Sequence, residues 1–160
     1  MEIKLLPANQ PVPLAILSMT GLDNRELNPA VEKQLSERHL VPAQPQSALG
    51  DLLQVIGDRH QVAMQAWDAA LIGERPVDVQ LTADQVTLRL AATPLPPDLD
   101  SKSSQVLVLI GAPQVTDEVV HATGQELQRK LKAFFGIQAR LQFRTLGPVS
   151  QVLDTIKPVS

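Results

Sequence analysis

The chain has 160 residues, a net charge of −3 and 44% apolar residues, enough for one packed domain. It has no cysteine, which excludes disulfides, thiol catalysis and thiolate metal sites. Trp67, Phe134, Phe135 and Phe143 are its only aromatic residues, so platforms for stacking bases or sugars are scarce.

Charge is uneven along the chain. Residues 1–114 carry 8 Lys and Arg against 13 Asp and Glu, whereas residues 115–160 carry 6 against 4. The C-terminal excess comes from Arg129, Lys130, Lys132, Arg140 and Arg144. Nucleic-acid domains are usually far more basic than this, so a solvated helix face and strand edge is the better reading. The opening Met-Glu-Ile-Lys-Leu-Leu-Pro lacks the basic start and apolar stretch of a signal peptide. No run approaches the ~18 apolar residues of a membrane span. Together these predict a soluble, cytoplasmic protein.

Residues 2–6 read as a short strand closed by Pro7. Residues 11–19 are apolar but bounded by prolines and Gly21, and fit either a buried strand or an irregular crossing. Asn28 as N-cap and Pro29 at the first helical position predict a helix over 29–39. Ser47 caps an expected helix ending near Ile56, Gly57 interrupts, and Asp58 opens a second helix running to Ile72 and stopped by Gly73. Trp67 falls in the apolar stripe of that second helix. Val55-Ile56-Gly57-Asp58-Arg59 echoes Leu71-Ile72-Gly73-Glu74-Arg75, but one echo of five residues is not a repeat architecture.

Alternation over 77–91 predicts a hairpin with Leu81 opposite Val86 and Asp78 opposite Arg89. Residues 93–104, rich in proline then serine, form the best candidate for an internal boundary within a single domain spanning 1–160. Residues 105–110 are continuously apolar and predict a central strand. Thr116 caps a long helix, acidic in its first turn and basic toward its end, stopped by Gly136. An alternating strand over 137–145 follows, and residues 148–156 read as a short final helix. The fold class is α+β, or a small α/β: a mixed sheet of about four to six strands with helices packed on it, closing in a strand–helix–strand unit.

Concentrated chemistry is sparse. The Gly111-Ala112-Pro113 turn is no phosphate site, because Pro113 removes a donor and Asp117 and Glu118 already occupy the helix start. Asp98-Leu99-Asp100-Ser101-Lys102 fails as a calcium loop, with Lys102 where a ligand should stand. No zinc spacing exists, and neither a metal nor another cofactor is expected. His60, in Gly57-Asp58-Arg59-His60, is the most interesting single residue and the candidate for acid–base or phosphoryl chemistry. Asp58, Arg59 and His60 point in different directions on a helix, so their adjacency alone is no constellation. His39 and His121 read as solvated helix residues.

By elimination the first functional reading is a non-catalytic interaction or assembly module, an adaptor, chaperone or structural subunit, with another protein as partner and homo-oligomerisation open. Trp67, Arg129, Lys130, Arg140 and Arg144 are its candidate contact residues. This reading expects an exposed apolar patch. The alternative is a small enzyme or phosphocarrier using His60. It expects a concave pocket holding that ring, with a polar group from a distant segment in hydrogen-bond reach. A third reading, a weak nucleic-acid binder, uses the basic C-terminal segment.

Overall fold

A computed structural model describes residues 2–22, 48–73, 75–82, 85–90, 93–95, 103–113 and 115–154, with short pieces at 33–34, 36–38, 40 and 99. In chain order the elements are β1 (Glu2–Leu5), β2 (Val12–Met19), α1 (Ala48–His60), β3 (Met64–Asp68), α2 (Ala69–Ile72), β4 (Val77–Thr82), β5 (Gln85–Leu90), β6 (Thr93–Pro94), β7 (Val106–Ile110), α3 (Asp117–Phe135), β8 (Arg140–Leu146) and β9 (Gln151–Asp154). The chain is α+β. Among the described residues the strands form two sheets, ordered β6-β5-β4-β1-β9 and β3-β7-β2-β8.

The two sheets and the helices make three layers. The four-stranded antiparallel sheet lies in the middle, and its strands explain why residues 11–19 and 105–110 are apolar without alternation. Val12, Leu14, Ile16, Leu107 and Leu109 face the five-stranded sheet. Ala15, Leu17, Met19, Val106, Val108 and Ile110 face α1 and α3. A strand buried on both faces has no polar side to display. The outer sheet has one wet face, and β4 and β5 alternate accordingly: Val77, Val79, Val86 and Leu88 are buried, while Asp78, Gln80, Thr87 and Arg89 are not.

The hairpin register is as the alternation predicts, Leu81 opposite Val86 and Asp78 opposite Arg89. Arg89 Nη1 donates to Gln80 Oε1 at 2.6 Å. β7 and β8 both run antiparallel to β2, which lies between them, so they are parallel to each other and α3 is their crossover. Thr116 accepts from Val119 N–H at 3.3 Å as N-cap. Gly136, left-handed at φ 67°, closes the other end with its N–H on Lys132 O at 3.1 Å.

Two glycines set how closely the layers approach. A Cβ on Gly124, in mid-helix, would lie 3.2 Å from side-chain atoms of Ala15, Leu141 and Phe143, so α3 sits low on the sheet. A Cβ on Gly111 would lie 2.6 Å from the Pro13 carbonyl oxygen, and its φ of 148° is one that side-chain-bearing residues avoid. Close backbone packing, not an anion, explains the glycine of the Gly111-Ala112-Pro113 turn.

Several expectations are corrected. α1 runs through Gly57 to His60, and Gln61 at φ 54° reverses the chain. Val62 N–H then returns to Gly57 O at 3.2 Å. The second helix expected over 58–72 survives only as α2. Its middle, Met64–Asp68, is a strand paired with β7. Helix propensities differ by only about 0.7 kcal/mol per residue, so an unpaired central strand decides the matter. The final helix over 148–156 is instead β9, which pairs antiparallel with β1. Within the helix expected over 29–39, residues 33, 34, 36 and 37 are helical, while Asn28, Pro29 and His39 lie outside the described residues. Most of Asp98–Lys102 lies outside them as well.

Each sheet takes strands from both sides of residues 93–104. Among the described residues no helix is long and apolar enough to cross a membrane. The outer strand β8 is fringed by side chains: Gln128 Nε2, Arg144 Nη1 and Gln151 Nε2 donate to the carbonyls of Ala139, Phe143 and Thr145 at 3.0, 2.7 and 2.9 Å. Carbonyls occupied this way are poor templates for a further strand.

Candidate functional site

The last turn of α1 lies beside the middle of α3. Glu126 stands at the flank of the buried stripe Val120, Thr123, Leu127 and Leu131, and its side chain is only 4% exposed. A buried carboxylate requires partners, because desolvation without them costs several kcal/mol. Glu126 has two, both from α1. Arg59 Nη1 forms an ion pair with Oε2, and His60 Nε2 lies 2.6 Å from Oε1. Arg59 and His60 are about 100° apart around α1, and a carboxylate seated between them meets both.

The carboxylate can only accept, so His60 donates through Nε2. The contact orients the ring, and in a neutral imidazole Nδ1 is then the acceptor nitrogen. His60 is 22% exposed and lines a cleft of about 430 Å³ with Ala122, Gln125, Glu126, Gln128 and Arg129. A histidine ring, two amides and a guanidinium thus border one space.

Asp58 turns the other way. Its Oδ2 accepts from Arg38 Nη2 at 2.6 Å and Nε at 2.8 Å. The expectation that Asp58, Arg59 and His60 diverge therefore holds for Asp58 and is corrected for Arg59 and His60, which converge on a residue of another helix. Sequence reasoning missed Glu126. The available signal was a lone carboxylate three residues after Thr123 and one before Leu127, at the margin of an apolar stripe.

The other candidates are scattered. Trp67 is 1% exposed between the two sheets, with its indole N–H on Leu95 O at 3.0 Å, so it is core and cannot serve as a surface contact. Lys130 Nζ sits 5.2 Å from the Phe134 ring centroid on α3. Leu141 and Phe143 face α3, which puts Arg140 and Arg144 on the opposite side of β8. Arg129 and Lys130 therefore share no face with Arg140 and Arg144. His121 is not simply solvated: its ring stacks on Phe143, centroids 3.8 Å apart and planes 10° off parallel. Its Nε2 lies 3.6 Å from Asp117. Among the described residues no three His, Cys, Asp or Glu side chains converge as a metal-ligand set. Compared with protein-family models and with curated proteins, the chain matches none.

Proposed function

We propose that the cleft between α1 and α3 is a small-molecule site in which His60 moves a proton to or from a bound ligand. The 2.6 Å hydrogen bond from His60 Nε2 to the buried Glu126 carboxylate, in the wall of that cleft, carries the reading. A ring held by a carboxylate keeps one tautomer and one orientation, which is what proton transfer at the second nitrogen requires. Gln125, Gln128 and Arg129 offer the ligand polar contacts. The competing role is purely architectural, with Arg59 and His60 merely neutralising Glu126.

The test is ligand-observed NMR with a small-molecule extract of the host, using wild type, Ala122→Trp and His60→Gln. Ala122 is exposed in the cleft wall, so the indole fills the space and leaves the His60–Glu126 pair in place. The expected result is a saturable binder that Ala122→Trp loses, converted at least ~100-fold more slowly by His60→Gln. A binder converted equally by His60→Gln, or no saturable binder at all, overturns the reading.

The interaction-module reading retains one specific observation. Val152, on β9, the outer strand of the five-stranded sheet, is 59% exposed, and Val149, in the turn before it, is 72% exposed. An extended segment of another protein could add to that strand. Its test is a protein that wild type captures and Val152→Asp releases; unchanged capture removes β9 as the docking strand.

A further inference from the structure

Beyond the cleft, α3 carries a second cavity of about 230 Å³, lined by Gln128, Arg129, Lys132 and Gln138. Gln128 and Arg129 border both cavities, so the two adjoin on α3. We propose that they form one groove whose far end, Arg129 with Lys132, is an oxyanion subsite for the phosphate or carboxylate group of the ligand that His60 acts on. This names the ligand class of the proposed proton-transfer site and rests on that reading.

Three observations support the assignment. Arg129 and Lys132 are three residues apart on α3 and therefore neighbours on one side of it. The one carboxylate lining either cavity, Glu126, already has Arg59 and His60. Among the described residues neither Arg129 nor Lys132 has a carboxylate partner, while Arg38 and Arg59 each have one. The groove thus carries two cations that no acid in its walls offsets, and an oxyanion bridging them would supply what is missing. The Gln138 amide adds a neutral donor beside them. The opposing influence is the carbonyl end of α3, which favours cations and disfavours an anion. The same two side chains could serve that helix end alone, so the experiment must separate the roles.

The probes are inorganic phosphate and acetate, titrated into the ¹⁵N-labelled full chain at low salt and followed by amide shifts. The expected result is saturable shifts centred on residues 128–138, weakened at least fivefold in Arg129→Gln and in Lys132→Gln. Lys4→Gln, which removes one charge from an exposed position on β1, leaves them unchanged. Tighter binding of phosphate than acetate points to a phosphorylated ligand, and the reverse to a carboxylate. Shifts spread over the whole surface, or binding unaffected by Arg129→Gln and Lys132→Gln, overturn the subsite and assign the cations to the helix end. The two proposals fail separately. His60→Gln leaves anion binding intact even if His60 transfers no proton, and a binder sensitive to Ala122→Trp survives even if the anions do not bind.

Discussion

On one face of the central sheet, Leu14, Ile16, Trp67, Leu107 and Leu109 meet the apolar side of a second sheet with no buried carboxylate between them among the described residues. On the other face, helices α1 and α3 take Asp51 and Glu126 almost wholly out of water. Packing geometry accounts for the difference. Two sheets interdigitate across their whole area at roughly 10 Å, leaving no room for a charge and its partners. Two helices laid side by side on a sheet touch along a line, and the wedge above that line is open to long polar side chains. The candidate site lies in such a wedge, and the sheet–sheet layer is the rigid base beneath it.

The comparison predicts a graded response to substitution. Trp67→Ala, which empties the largest fully buried side chain of the sheet–sheet layer, should have the largest effect, a loss of about 3–5 kcal/mol measured by urea denaturation. A loss under about 1 kcal/mol would mean that this layer repacks freely and is not the rigid base. Next is a double-mutant cycle on Arg59 and Glu126, whose coupling should reach about 1–2 kcal/mol because one partner is buried. The same cycle on Arg38 and Asp58, each roughly one-third exposed, should give about 0.2–1 kcal/mol. Equal couplings would break the distinction between the buried pair and the surface pair. A similarly modest effect belongs to Thr116→Ala, which removes the N-cap of α3 at a cost of about 1 kcal/mol. Thermal melts should show that loss while ligand binding in the cleft stays unchanged, since the cap lies several turns from Arg129. A matching loss of binding would show that the whole helix, and not its middle, holds the site.

The legible part of the fold was carried by local patterns. Alternation at Val77, Val79, Val86 and Leu88 requires one wet and one dry face whatever the sheet's neighbours are. Thr116 and Gly136 bracket α3 through bonds to residues three or four positions away. The site was half legible. His60 stood out beside Asp58 and Arg59, but Glu126 is 66 residues on, and nothing local to either residue encodes their meeting.

The amino-acid sequence by itself determined the α+β class, the β4–β5 register, the unbroken apolar β7 and the caps of α3, because the deciding interactions there are short-range. Tertiary structure decided that Met64–Asp68 is a strand, that residues 151–154 close a sheet against Glu2–Leu5, and that His60 and Glu126 share a cleft. Local preferences in those segments are worth less than the main-chain pairing, burial and charge neutralisation that distant residues supply.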